Sequence, residues 1–168
     1  MAQRRRWIAA WVPWLVLLHV LGAIVAFGPV FAFPLIGGMG AKEPMHANFG
    51  TRVSAAISDR ITIPLAVVQG VTGVLLIIAA GWDLTAPPGR WLTASIILYV
   101  ITFGYATAVQ RKKVHAIIEL TSKPRPADAP PGPPPGAAEL IRSIQRGGML
   151  LTVLIVTIVV LMVLKPTM

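Results

Sequence analysis

Four long apolar stretches, separated by shorter polar ones, dominate the pattern of this 168-residue chain. A helix needs about 17 to 25 apolar residues to cross the hydrocarbon core of a bilayer, and each stretch is close to or above that length. The stretches cover residues 11–36, 61–82, 91–109 and 149–164. The pattern predicts an all-α fold, a transmembrane four-helix bundle that forms a single membrane domain over residues 1–168.

Residues 37–60 connect the first two spans and change character halfway. They begin with the letters GGMG, which predict a flexible glycine turn. Toward their end, Val53, Ile57 and Ile61 recur at four-residue spacing, which places them on one face of a helix. Such a face can lie against lipid headgroups or against the bundle. We therefore expect a short interfacial helix immediately before the second span.

Two proline-containing connectors follow. Residues 83–90, DLTAPPGR, stop any helix and are flanked by Trp82 and Trp91, which mark one water boundary because tryptophan prefers the headgroup zone. Residues 123–136 form a Pro-rich loop, since proline withholds a hydrogen-bond donor and fixes φ. We interpret this loop as a spacer, with docking of a proline-binding partner as the alternative. A helical lead-in to the fourth span is expected over residues 137–146.

The first span contains three prolines. Pro13 falls where the helix is expected to begin, so its missing N–H costs nothing there. Pro29 and Pro34 lie deeper and are expected to kink or end the helix. Neighbouring helices must then satisfy the carbonyl groups that the prolines leave unpaired.

Composition agrees with a membrane location. Hydrophobic residues make up 55% of the chain and charged residues only 12%, and the mean hydropathy is +0.74. The net charge of +9 could suggest nucleic acid, but the cations flank the apolar stretches, as topology determinants and headgroup contacts do. We therefore expect no nucleic-acid partner. Cysteine is absent, which excludes disulfides, thiolate metal sites and cysteine nucleophiles.

The cations also predict an orientation. With both termini in the cytoplasm, five cations would lie there: Arg4, Arg5, Arg6, Arg90 and Lys165. The opposite orientation places ten there: Lys42, Arg52, Arg60, Arg111, Lys112, Lys113, Lys123, Arg125, Arg142 and Arg146. The cluster at residues 4–6 argues for the first orientation, but the larger number of cations favours the second. We expect a multi-pass protein of the inner (plasma) membrane, with both termini outside and loops 37–60 and 110–148 cytoplasmic.

His19 is the candidate functional residue, because it is the one ionisable group well inside a span. Gly22, Ala23 and Ala26 share its helical face and form a small-residue stripe that lets another helix come close. In the second span, Gln69 shares a face with three small or polar residues: Ala66, Thr72 and Gly73. We expect these two faces to meet, and a direct hydrogen bond between His19 and Gln69 is one option.

Two interpretations of His19 stay open. The favoured one is a hydrogen bond between helices, and the alternative is an axial haem ligand, for which neutral imidazole is suited. Haem in a bundle usually needs a second strong ligand, and Met39 or Met45 could supply it only if the first loop folded back into the bundle. We expect no cofactor, with haem as the alternative, and no metal site, because no pair of histidines has a suitable spacing.

Other chemistries lack the necessary residues. No Asp, Glu, Lys or Arg lies at mid-membrane, as proton or ion relays normally require. Asp59 and Arg60 stand at the mouth of the second span, where we expect a local ion pair or a topology role. We assign Tyr99 and Tyr105 to packing and interface anchoring. No serine, histidine and carboxylate set converges on a pocket, so no catalytic residue is predicted and an enzyme is not expected.

The chain resembles a family of predicted bacterial integral membrane proteins known as domain of unknown function 2269. The resemblance is carried by the segment 18–23, LHVLGA, with Gly28, by Asp59-Arg60 with Pro64, Thr72 and Gly73, and by the segment 161–166, LMVLKP. It implies four helices and no established activity. The first-helix segment around His19 is also similar to copper-resistance D-like proteins and to four-helix protoporphyrinogen oxidases that bind haem, whose first-helix histidine would correspond to His19.

The sequence thus predicts an uncharacterised integral membrane protein with a structural or partner-binding role, and a haem-binding redox protein using His19 is the alternative. The expected partners are a lipid bilayer with anionic headgroups and either another membrane protein or a second copy of the chain.

Overall fold

The computed structural model describes residues 2–86, 89–123 and 134–166, with side chains from residue 10 onward. This part of the chain is mostly helical and contains no strand, which confirms the predicted all-α fold. Its α-helices are α1 Ala2–Phe27, α2 Phe33–Lys42, α3 Pro44–Ile57, α4 Ile63–Ala80, α5 Arg90–Tyr105, α6 Arg111–Ser122 and α7 Ala137–Leu164.

The helices combine into four rods that are long and apolar enough to cross a membrane, as predicted. The rods are Ala10–Lys42, Pro44–Ala80, Arg90–Ser122 and Ala137–Leu164. They contain between 28 and 37 residues, or about 42 to 56 Å at 1.5 Å per residue. Because a hydrocarbon core is about 30 Å thick, every rod is long enough to extend beyond it.

Packing divides the molecule into two layers along its long axis. In one layer α1 packs mainly on α4, and α5 packs mainly on α7. In the other layer α2 packs on α3, α3 on α6, and α6 on the start of α7. We call the second layer the head; it consists of α2, α3, α6 and residues 137–144 of α7.

Three helical irregularities lie between these layers. Gly28–Phe31 is a 3₁₀ turn, and both Ser58–Thr62 and Ala106–Gln110 are π-helical turns. Counting the roughly 20 residues of a membrane-spanning helix from Trp82 backward or from Trp91 forward ends at the two π-helical turns. The two turns thus lie about one membrane thickness from the tryptophan end, a depth at which water and headgroups can satisfy carbonyls that a bilayer core could not. We call this level, with residues 144–148 of α7, the junction.

The opposite boundary is marked by aromatic and cationic side chains. The rings of Trp82 and Trp91 meet edge to face with centroids 5.6 Å apart. The ammonium of Lys165, just after α7, lies 5.9 Å from the Trp91 ring centroid. Thr93 Oγ donates a hydrogen bond of 2.8 Å to the Leu84 carbonyl and ties the connector to α5. Together these contacts tie the connector to α5 and α7, and the water boundary beside residues 83–90 stays a prediction.

Several details differ from the sequence predictions. The predicted glycine turn is wrong, because α2 continues through Gly40 and the chain turns at Glu43. A methyl group at Gly40 would lie 3.2 Å from the Ala47 Cα atom, so glycine here permits close packing of α2 on α3. Pro13 lies inside α1 rather than in its first turn. The predicted interruption is confirmed, since α1 ends before Pro29.

Two predictions lie partly outside the described residues. Of the Pro-rich loop 123–136, residues 124–133 are not described. The predicted lead-in at residues 137–146 is helical and continuous with the fourth span, and the predicted helix before the second span is α3.

Candidate functional site

His19 makes the central polar contact between α1 and α4. Its Nδ1 atom lies 2.9 Å from Thr72 Oγ1, and the Thr72 hydroxyl donates to the Gln69 carbonyl at 3.1 Å. With the hydrogen on Nδ1, His19 donates to Thr72 while the Thr72 hydroxyl donates to the Gln69 carbonyl. The result is a relay from α1 into the backbone of α4, which we call the His19 clasp.

Glycines make room for the His19 clasp. A methyl group at Gly22 would lie 2.9 Å from Gln69 Oε1, and one at Gly73 would lie 3.3 Å from His19 Cε1. Gln69 is only 7% exposed, and its Oε1 atom accepts no hydrogen bond from the described residues. Small residues thus bring the helices close enough for polar side chains to reach across.

The structure agrees with the predicted faces and selects a different partner. The small-residue stripe of α1 does meet the face of α4 that carries Ala66, Gln69 and Thr72, and all three of these residues are buried. His19, however, bonds to Thr72 rather than Gln69. Thr72 is one turn nearer the Trp82 boundary, and this depth offset depends on helix packing that the sequence does not encode locally.

A second polar contact links α4 to α5. The Tyr99 hydroxyl donates to the Ala66 carbonyl at 2.7 Å, and its ring lies against Gly70, where a methyl group would come within 2.8 Å of the hydroxyl oxygen. The ring also stacks on Phe103, with centroids 6.1 Å apart. Sequence reasoning assigned Tyr99 to packing and missed the hydrogen bond; Gly70 on the facing helix was the available signal.

A third polar contact links the second π-helical turn to α7. Gln110 Nε2 donates to the Ile144 carbonyl at 2.9 Å. Gly147 faces both the Gln110 amide and the Tyr105 hydroxyl, and a methyl group there would lie 2.7 Å from Tyr105 Oη. Gln110 Oε1 is buried without a partner among the described residues. Sequence reasoning missed this contact, which we call the Gln110 clasp.

Most hydroxyl groups of the spans donate a hydrogen bond to a backbone carbonyl of their own helix. Ser95, Thr102 and Thr152 each donate to the carbonyl four residues earlier in the same helix. Such bonds remove the cost of a polar group in hydrocarbon without creating a reactive group.

Asp59, in the first π-helical turn, forms an ion cluster with α6. Its two carboxylate oxygens lie 2.8 Å from Arg111 Nε and 2.9 Å from His115 Nε2. Of the two roles predicted for Asp59 and Arg60, the local ion pair is not formed, since Asp59 reaches across to the third rod, and the topology role stays a prediction. The pair is partly exposed, with 24% of the Asp59 side chain accessible, so its contribution to stability is small.

The three histidines lie on three different helices, α1, α3 and α6. Among the residues that the structure describes, no group of three His, Asp or Glu side chains is arranged to hold a metal ion. His115 is engaged with Asp59, and His46 is exposed on α3. Met39 and Met45, either of which could be a second ligand only if the first loop folded back into the bundle, are 65% and 93% exposed. Twenty residues of mostly helical chain, about 30 Å at 1.5 Å per residue, separate Met39 from His19.

Comparison with known proteins adds a family and no activity. No curated protein and no solved structure matches the chain. The model of one family, described as "Predicted integral membrane protein (DUF2269)", matches residues 13–166, almost the whole chain. Four apolar rods of spanning length agree with that description. The chain therefore belongs to the DUF2269 family of predicted integral membrane proteins.

Proposed function

We propose that this membrane protein has a structural or partner-binding role, in which a clasped four-helix anchor holds the head at the cytoplasmic face of a bacterial inner membrane. The observation that carries the proposal is the use of His19. Its Nδ1 lies 2.9 Å from Thr72 Oγ1, within hydrogen-bond distance of a residue on the facing helix α4. The one ionisable group well inside a span thus serves helix packing.

A haem-binding redox protein using His19 is the rival, and the described residues do not favour it. Hydrogen bonding through Nδ1 would leave Nε2 for a metal, but a bundle haem usually needs a second strong ligand. The two methionines that could have served lie in the head, beyond the junction.

Stability measurements on His19 variants test the structural role. His19→Leu, which removes the donor, should lower the free energy of unfolding by about 1 kcal/mol, the usual value of a polar contact between membrane helices. His19→Asn places an amide donor near the Nδ1 position and should retain part of that stability. If His19→Leu and His19→Asn unfold like the unchanged protein, the clasp is not structural.

A double-mutant cycle makes the test specific. Thr72→Val removes the acceptor on α4, so combining it with His19→Leu should cost less than the sum of the two single changes. An additive result would contradict the proposed His19–Thr72 coupling.

The proposed orientation has both termini outside and loops 37–60 and 110–148 in the cytoplasm. Support comes from the cations of the head and junction, which are gathered at one end of the packed rods. They are Lys42, Arg52, Arg60, Arg111, Lys112, Lys113, Lys123, Arg142 and Arg146. Positive charge next to spans favours the cytoplasmic side and attracts anionic headgroups.

Single-cysteine labelling tests this orientation, because the chain contains no cysteine. Thr85→Cys and Ala138→Cys are exposed positions at opposite ends, and neither change removes a charge. An impermeant thiol reagent added to intact spheroplasts should label Thr85→Cys, and Ala138→Cys only after lysis. The reverse pattern would overturn the orientation while leaving the His19 clasp untouched.

The proposed partner-binding surface is the hairpin of α2 and α3. Four large apolar side chains are at least 65% exposed there: Leu35, Met39, Met45 and Phe49. They lie beyond the junction, where lipid tails no longer cover them, so another protein or a second copy is the proposed cover. Oxidation of the purified Met45→Cys variant distinguishes another protein from a second copy, because a disulfide-linked dimer indicates that a second copy covers this surface.

A further inference from the structure

We propose that the first three turns of α7 form a binding site for the phosphodiester of an anionic phospholipid. An open cavity of about 610 Å³ lies against this face, lined by Gly136, Ala138, Glu139, Arg142, Ser143 and Arg146. The inference rests on the proposed placement of the rods in the bilayer, and it goes beyond general attraction to headgroups because it names the residues that hold one lipid.

Depth in the membrane argues for a lipid rather than a dissolved ligand. Counting about 20 residues back from the end of α7 at Leu164 places the hydrocarbon boundary close to Arg146. Arg142 then lies about 6 Å farther out at 1.5 Å per residue. The two guanidinium groups thus bracket the headgroup layer, which is about 5 to 8 Å thick on each side.

Side-chain geometry argues for a phosphodiester. Arg142 and Arg146 are one turn apart on the same helical face, and both are exposed. Their guanidinium groups present forks that match phosphate oxygens, and neither joins an ion pair within the described residues. Lys113 Nζ donates to Ser143 Oγ at 2.7 Å, which brings a third cation from α6 to the edge of the cavity.

The one acid of the cavity fits the outer part of a headgroup. Glu139 precedes Arg142 by three residues and lies about 4.5 Å farther from the hydrocarbon. A carboxylate there would repel a phosphate but accepts hydrogen bonds from the hydroxyls of a glycerol headgroup. The order along α7, cations near the boundary and an acceptor outside, matches phosphatidylglycerol.

Thermal unfolding of the full-length protein in dodecyl maltoside tests the site. Titration with phosphatidylglycerol should raise the midpoint of unfolding, since a ligand that binds the folded state stabilises it. Phosphatidylcholine with the same acyl chains and inorganic phosphate should not. An equal shift with phosphatidylcholine would overturn the headgroup preference, and an equal shift with inorganic phosphate would show a free-anion site.

Variants locate the effect. Arg142→Gln combined with Arg146→Gln should weaken the apparent affinity for phosphatidylglycerol about thirtyfold, because each cation near the surface contributes about 1 kcal/mol. The control, Lys42→Gln combined with Arg52→Gln, removes the same charge from exposed positions of α2 and α3 and should leave affinity unchanged. Equal losses of affinity in the two double variants would show that the lipid is attracted by the overall charge and not by a site at Arg142 and Arg146.

A second double variant that retains both charges tests the site even if the glutamine variants do not fold. The double variant Arg142→Lys with Arg146→Lys keeps both positive charges but loses the bidentate donor geometry of the guanidinium groups. We expect it to bind phosphatidylglycerol several-fold more weakly. Unchanged affinity would contradict the proposed fork geometry. Thiol labelling of Thr85→Cys, which lies in the connector outside this cavity, separately reports the orientation, so failure of the lipid site and failure of the proposed membrane placement can be told apart.

Discussion

Alanine at Gly147 should disrupt the Gln110 clasp, whereas alanine at the adjacent Gly148 should not. A methyl group at Gly147 would collide with the Gln110 amide and lie 2.7 Å from Tyr105 Oη. At Gly148 the nearest contact would be Gln110 Nε2 at 4.0 Å, an ordinary van der Waals distance. The two glycines are neighbours in one helix, so the pair isolates the clasp from general effects of alanine.

The magnitude follows from three contributions. Displacing Gln110 breaks its bond to the Ile144 carbonyl, worth about 0.6 to 1.7 kcal/mol between membrane helices. Forcing a methyl group into a packed contact costs about 1 to 3 kcal/mol. The helix preference of alanine over glycine restores up to about 1 kcal/mol. Gly147→Ala should therefore lose about 2 kcal/mol, and Gly148→Ala should be neutral or slightly stabilised.

Unfolding in mixed micelles with increasing SDS, followed by circular dichroism, measures both free energies. Adding Gln110→Ala to Gly147→Ala should restore part of the lost stability, because the colliding amide is removed. Equal stability of Gly147→Ala and Gly148→Ala would refute the reasoning.

Three further results are expected. Tyr99→Phe, which loses only the hydroxyl bond to the α4 carbonyl, should cost about 1 kcal/mol in the same assay. Asp59→Asn should cost less than about 1 kcal/mol, since its pair with Arg111 is partly exposed, and the loss should shrink in high salt. Hydrogen bonds from the Thr85 side chain and backbone, with one from Ala86, hold the pKa of the Asp83 carboxyl below its ordinary value, so the order of this connector should persist above about pH 4 and be lost as pH falls further. Exchange of the Thr85 amide hydrogen reports that loss.

The sequence predicted the features that depend on local pattern. Apolar length alone indicated four spans, and small residues at helical spacing identified the faces of α1 and α4 that meet. It did not predict how far the helices slide past one another, which decides that His19 reaches Thr72 instead of Gln69. Nor did it predict that Gln110 reaches Ile144, a contact that depends on the packing of distant segments.

Helix ends were the least predictable feature, because packing overrides local preference. Glycine at positions 37, 38 and 40 favours a turn in isolation, yet α2 remains helical as far as Lys42. Close approach to α3 explains this, since Gly40 lies against Ala47 and Gly50 against Ile36. Asp59 similarly pairs across to Arg111 rather than with its neighbour Arg60, because α6 packs on α3, the helix that leads directly into the π-helical turn of Asp59.

The visible absorption spectrum tests the central claim, that His19 serves packing and not a cofactor, most directly. The protein would be purified in mild detergent from haem-replete cells and its spectrum recorded beside that of His19→Ala. We predict no Soret band in either sample. A stoichiometric Soret band that disappears in His19→Ala would contradict the structural role and establish His19 as a haem ligand.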